Sequence, residues 1–515
     1  MGQNAEYLLI ACVSAMRRVV VAKQGACCLL SAVLFLVGCS NSDSSGPPTG
    51  SPRFSIVSGT SQTAPINQPL AAPVVVKIVD AGNGAPIPGY PINWVVTSGG
   101  GSVFAAATAT SADGVTQNYW TLGPLLGAQT LEVRAIDPAT GVRLIFGTVT
   151  AIATAPVPVP HNVNIIVAGD SHSCALVDQG AAFCWGADRQ QLGTGPSGSD
   201  DSVADPVAGG LAFTALAAGA STTCGLVAAG AAYCWGNNQL GPVGDGSSGN
   251  SRTAPTSVAG GLAFTAISTS GNHTCGLVST GAAYCWGDNY YGAVGDSTTD
   301  SIRSTPSAVR GGLTFTKVVT GGAQSCGLVA GGMAYCWGNN NAGAIGDSTR
   351  DTSRLTPVRV AGGLTFSAVV AGGAFTCGLT GAGAAYCWGD NTYGQLGDGT
   401  KLPRVAPTAV MGGLTFASLA AGGNHTCGVT VSGTTYCWGY NFYGQLGDGT
   451  KTDRLTPTAV TGALSFTALA TGYAHTCGIT ASRVAYCWGY NQYGQVGDGT
   501  IRNVVVTPSP VFFAQ

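Results

Sequence analysis

Fourteen cysteines stand in seven pairs, ten residues apart within each: Cys174 and Cys184, Cys224 and Cys234, Cys275 and Cys285, Cys326 and Cys336, Cys377 and Cys387, Cys427 and Cys437, Cys477 and Cys487. Thiols at such an offset could ligate a metal or crosslink. Metal sites favour nearer spacings of the Cys-x2-Cys kind, so ligation is disfavoured. Crosslinking fits the local sequence. The midpoint of the third pair is Thr280, within the turn Ser279-Thr280-Gly281, and the third turn position is glycine in every pair but the last, which has Arg483. Three-residue hairpin loops favour glycine there because the chain enters the left-handed region. Counting outward from the turn sets the two cysteines opposite each other at a non-hydrogen-bonded pair, close enough for a disulfide. Seven hairpin disulfides are expected.

Four of the five histidines, His172, His273, His425 and His475, stand two residues before the first cysteine of a pair. They could form a metal ring. Thr222, Gln324 and Phe375 occupy the same place elsewhere, which favours hydrogen bonding to loop backbone instead. Five arginines (Arg252, Arg303, Arg354, Arg404, Arg454) recur with five aspartates (Asp245, Asp296, Asp347, Asp398, Asp448), while the first repeat has Val203 and Thr194 in their places and the seventh keeps Asp498 opposite Val505. Joint occurrence favours Arg–Asp pairing over an anion-binding ring. The Asn-x-x-Gly and Gly-Asp-Gly-Thr loops suit calcium and ordinary turn chemistry equally. Glutamate occurs only at Glu6 and Glu132, and no Ser-His-Asp order, P-loop or dinucleotide fingerprint stands in a credible context. No catalytic residues, cofactor or metal are expected.

Five residues after each Cys-Trp-Gly tryptophan comes Tyr291, Tyr393, Tyr443 or Tyr493 in four repeats, and Gln190, Leu240 or Ala342 in the others. Further aromatics gather unevenly at Tyr290, Tyr440, Phe442 and Tyr490. Structural packing tends to use one residue type all round, whereas recognition tolerates variation and favours tyrosine at hot spots. Tyr393, Tyr440, Tyr443, Tyr490 and Tyr493 are therefore candidates for a binding face on repeats five to seven. Packing between repeats is the competing role.

The elements that carry these residues follow from the period. Cys-Trp-Gly recurs seven times at 50 or 51 residues, which marks one supersecondary unit repeated. The third unit offers four short strands near Phe264, Cys275, Ala283 and Thr305, the make-up of a propeller blade. Period-2 alternation puts each tryptophan opposite its cysteine and beside the preceding aromatic, in a core between blades. A ligand-stacking tryptophan is the alternative. Only 9% of residues are charged and 79 are glycine, as suits a turn-rich all-β chain. A net charge of −2 argues against nucleic acid, which asks for a basic surface.

The run Ala421-Gly422-Gly423-Asn424-His425-Thr426-Cys427-Gly428, then Tyr436-Cys437-Trp438-Gly439, then Asn441-Phe442-Tyr443-Gly444-Gln445-Leu446-Gly447-Asp448-Gly449-Thr450 closely resembles the regulator-of-chromosome-condensation family. The resemblance covers residues 163–515 and implies a seven-bladed β-propeller. Members of that family bind a small GTPase and chromatin, β-lactamases or light-signalling proteins, so the fold alone does not choose a partner.

Upstream, Arg17, Arg18 and Lys23 precede an apolar run ending Leu36-Val37-Gly38-Cys39, too short for a membrane span. This resembles the lipobox of bacterial lipoproteins, which implies lipidation at Cys39 and, with Ser40 next, an outer-membrane location. An ordinary signal peptide is the alternative, and translation could start at Met1 or Met16. Val79 to Gly89, Trp94, Gly99 to Gly101 and Trp120 to Gly123 resemble invasin- and intimin-type immunoglobulin-like domains, which act as stalks. The expected organisation is a signal peptide (1–38), a flexible tether (39–51), an immunoglobulin-like β-sandwich (52–155), a Pro-rich spacer (156–162) and the propeller (163–515). The expected function is non-enzymatic: a monomeric envelope lipoprotein, periplasmic or surface-exposed, anchored to the membrane by lipid. Its propeller would bind a protein or glycan, and no nucleic acid. A propeller lyase or hydrolase, and then nucleotide exchange, are the alternatives.

Overall fold

A computed structural model of the chain describes residues 52–136, 143–154, 161–195 and 198–514. The signal peptide, Cys39, the tether and residues 156–160 of the spacer lie outside them. Among the described residues the structure is all-β, with one short 3-10 turn at Asp178–Gly180, and no helix is long and apolar enough to cross a membrane.

Residues 52–154 form two main sheets. One joins Pro52–Ser58, Val74–Asp80 and Val115–Asn118. The other runs Thr63–Pro65, Arg143–Thr154, Gly127–Ile136, Pro91–Val96, Ala107–Ala109. Alternation drives these strands: Val74, Val76 and Ile78 are fully buried while the residues between them are only half-buried. Trp94 and Trp120 fill the space between the sheets with Ile92, Leu131, Val133 and Val149.

From Ile165 onward come seven antiparallel sheets of four consecutive strands each. The third consists of Phe264–Ser270, His273–Val278, Ala283–Asp288 and Ile302–Ala308. The second strand of each unit pairs with the third so that the two cysteines face each other, and all seven disulfides are formed with Cα–Cα distances of 4.0–4.1 Å. The hairpin turn is as expected: Gly281 has φ +79°, and its N–H donates to the Val278 carbonyl. Arg483 departs from the glycine rule in type but not in conformation, with φ +64°.

One glycine explains how tightly these sheets are built. A Cβ on Gly276 would stand 2.5 Å from the Phe264 ring, and Gly225, Gly327, Gly378, Gly428 and Gly478 meet the same obstruction. In the first repeat the phenylalanine is replaced by Val163 and the glycine by Ala175, both buried. The two positions exchange volume.

Candidate functional site

The tryptophans of the Cys-Trp-Gly motifs are all fully buried. The Nε1 of Trp286 donates to the Pro242 carbonyl at 2.9 Å, and Trp337, Trp388, Trp438 and Trp488 reach the corresponding carbonyl one repeat back. Trp185 does the same to Gln495 of the last repeat. These rings are inter-sheet core, not ligand platforms.

The histidines act between sheets as well. His172 Nε2 lies 2.8 Å from the Thr223 hydroxyl, His273 2.9 Å from Ser325, His425 2.8 Å from Thr476, and His475 2.8 Å from Ser173. Each hydroxyl in turn donates to a loop carbonyl, as Thr223 does to Gln191 and Ser325 to Ala293. It therefore accepts from a protonated Nε2. The expected backbone partner is replaced by a hydroxyl of the next sheet, because successive sheets bring that side chain closer than the histidine's own loop. Burial holds His172 and His425 down to about 3 and His273 and His475 down to about 4, so all four are neutral.

The arginines and aspartates pair within each repeat. Arg303 Nε donates to Asp296 Oδ2 at 2.7 Å, and the other four pairs match it at 2.6–2.8 Å. Burial alone would raise Asp296, but the Thr298 hydroxyl and Arg303 outweigh it and hold the carboxyl below its ordinary value. Asn289, fully buried, donates to that carboxylate and to the Thr298 carbonyl while its own Oδ1 accepts the Val294 N–H. Protein donors thus crowd the loop centre where a cation would need oxygens. In the seventh repeat, whose aligned position is Val505, Arg502 supplies the guanidinium to Asp498. In the first, strand pairing sets Asp201, and not Val203, opposite Gly186, where repeats two to six have arginine.

The tyrosines do come together. Tyr393 and Tyr440 have ring centroids 4.5 Å apart, Tyr440 and Tyr443 6.2 Å, Tyr443 and Tyr490 4.6 Å, and Tyr490 and Tyr493 6.0 Å. Phe442, 59% exposed, joins at 5.0 Å from Tyr443. The result is an unbroken ribbon across three repeats, whereas Tyr290 and Tyr291 form a separate pair. Burial, then Tyr443 and Tyr393, raise the Tyr440 phenol above its ordinary value. At the edge of the ribbon, Lys401, Lys451, Asp453 and Leu455 border a hollow of about 570 Å³ with Tyr440 and Phe442.

Sequence reasoning overlooked what fixes these rings. Gln395, Gln445 and Gln495, fully buried, accept the N–H of Tyr393, Tyr443 and Tyr493 at 2.9–3.1 Å. The signal was present as Tyr-Gly-Gln in those three repeats only. Gln395 Nε2 donates to Asp390, while the equivalent residues in the next two repeats are Tyr440 and Tyr490, and the Nε2 atoms of Gln445 and Gln495 have no acceptor.

A family model for the RCC1-like domain matches residues 215–514, and one for the regulator of chromosome condensation (RCC1) repeat matches residues 163–190. The Ultraviolet-B receptor UVR8 of Arabidopsis thaliana is 30% identical over 256 residues, 48% of this chain and 57% of that one. The E3 ubiquitin-protein ligase HERC2 of Homo sapiens is 32% identical over 148 residues, 26% of this chain and 3% of that one. The chain therefore spans less than two thirds of the length of these relatives. Among solved structures, human WBSCR16 superposes with a TM-score of 0.58 at 18% identity, over 64% of this chain and 93% of that one. Yeast RCC1 (Prp20), solved bound to Kap60, gives 0.57 at 20% identity, over 70% and 89%. At such identities the likeness speaks for the fold, an all-β propeller of the RCC1 type. On the match over residues 215–514, the chain belongs to the RCC1-like domain family.

Proposed function

We propose that this chain is a non-enzymatic binding protein of the cell envelope. In this reading the seven sheets make a seven-bladed propeller, and residues 52–155 make an immunoglobulin-like stalk beneath it. Cys39 carries the lipid that anchors a monomer to the outer membrane. The propeller presents the ribbon of Tyr393, Tyr440, Tyr443, Tyr490 and Tyr493 to a protein or glycan partner. The observation that carries the reading is the continuity of that ribbon, with Phe442 59% exposed at its edge. Amphipathic rings held by buried glutamines offer large contact area at small ordering cost. The recurring polar groups of the repeats, by contrast, are occupied with one another: histidine with hydroxyl, arginine with aspartate.

The test compares Tyr393→Ala, Tyr443→Ala and Tyr493→Ala with the parent chain for melting temperature and for capture of crosslinked envelope components. Capture per folded molecule should fall by roughly tenfold for each, as for a hot-spot aromatic. Unchanged capture with a large loss of stability would make the ribbon a packing device. For the anchor, labelled palmitate should enter the wild-type chain and be absent from Cys39→Ala.

A further inference from the structure

The first repeat breaks the charge pattern of its neighbours, and it does so beside a cavity. Repeats two to six place arginine opposite the glycine of Cys-Trp-Gly, paired to an aspartate. In the first repeat that place is Asp201, the buried asparagine becomes Asp188, and the pairing aspartate becomes Thr194. The outer strand Asp201–Pro206 adds Asp205, which shares a hydrogen bond with Asp201. A positive charge has been removed and carboxylates added, and none of the residues lining the adjacent cavity is basic.

That cavity has a volume of about 720 Å³, within the usual range of small-molecule sites. One wall is Asp200, Asp201 and Asp205. The facing wall, from the two-sheet unit, is apolar at Ile66, Pro69 and Pro124. Ser202, also in the lining, is 2% exposed, and its hydroxyl has no hydrogen-bond partner.

We propose that this cavity binds an organic cation, a guanidinium or alkylammonium head on an apolar stem. The carboxylates take the head in charge-assisted hydrogen bonds, and the Ile66, Pro69 and Pro124 wall takes the stem. The six other repeats of the same chain satisfy this part of the loop with a guanidinium of their own; the first repeat receives one from outside. Among the described residues no group of three or more His, Cys, Asp or Glu is placed to hold a metal ion, so the cation is one that brings its own hydrogen-bond donors. Burial and the neighbouring Asp205, Asp188 and Asp200 raise the Asp201 carboxyl, the state expected of an acid pair awaiting a counter-charge.

Isothermal titration of the purified full chain with agmatine, and with an acetylated and amidated Gly-Arg-Gly peptide, tests this. Its citrulline counterpart is the neutral control. Agmatine binding alone points to a free small cation, and binding of the peptide as well points to an arginine side chain of another protein. Either should weaken at least about tenfold in D201N/D205N. Asp201→Arg, which restores the pattern of repeats two to six, should abolish binding while leaving the melting temperature equal or higher. Absence of binding by both probes at millimolar concentration, or equal affinity for the citrulline peptide, or affinity unaltered in D201N/D205N, overturns the proposal.

Discussion

The four histidines show how one residue type serves an interface without becoming a reactive site. Each is sealed, neutral, and bonded through Nε2 to a hydroxyl of the following sheet. Their folded pKa values of about 3 to 4 lie below the ordinary 6.5. The unfolded chain therefore takes up protons first, and the stabilisation, complete above pH 6.5, is lost as pH falls toward 4. Urea midpoints should decline across that window. Replacing the four histidines with glutamine, which Gln324 already carries in the fourth repeat, should flatten the decline. A decline of equal slope in the glutamine variant would place its origin elsewhere. The cysteines belong to the same scale. Each closes a short loop, worth roughly 2–3 kcal/mol on the chain-entropy model. Non-reducing peptide mapping should recover Cys174–Cys184 through Cys477–Cys487, and C275A/C285A should lower the unfolding midpoint with the other six bonds intact.

At the scale of the element, each sheet is a hairpin plus a loop whose polar groups saturate one another. Asp296 answers to Arg303, Thr298 and Asn289 together. Arg303→Ala would leave a carboxylate that is 10% exposed without its cation, at a cost of roughly 1–3 kcal/mol. Arg502→Ala should resemble it, because Arg502 does for Asp498 what a strand arginine does elsewhere. Equal stability of Arg502→Ala and the parent in thermal melts would show that this exposed guanidinium is ornamental. The hairpin was legible in the sequence down to its turn, since a three-residue loop, its left-handed third position and period-2 alternation are all local properties. The loop was half legible. Arg and Asp recurred together, but the substitution by Arg502 was hidden because it approaches Asp498 from the loop and not from the strand position aligned with Arg303.

At the scale of the whole molecule, the seven sheets close on themselves. The last repeat meets the first through Trp185 Nε1 and the Gln495 carbonyl, His475 and Ser173, and the Gly499 N–H and the Ser202 carbonyl. The backbone bond recurs at every other neighbouring pair, and the tryptophan bond at all but the first with the second, so no strand needs to be exchanged between the ends. One device is added. Phe513 pairs in parallel with Ala204, and its ring stands 5.5 Å from Phe183 and 6.2 Å from Trp185, the tryptophan whose repeat has Val163 where the others have phenylalanine. Phe513→Ala should cost roughly 3–5 kcal/mol and speed amide exchange in the first and last sheets before the middle ones. Uniform exchange across all seven would deny the tail its closing role. The repeat, its strands, the cysteine register and the clustering of tyrosines in repeats five to seven are written in local sequence, because turn chemistry and alternation act over ten residues or fewer. The tertiary structure alone decided which hydroxyl each histidine meets, that the tyrosine rings touch in one ribbon, and that Asp201 stands where arginine belongs beside an open cavity. Those relations join residues one repeat apart, or 310 apart across the closure, and only the curvature of the ring sets their distance.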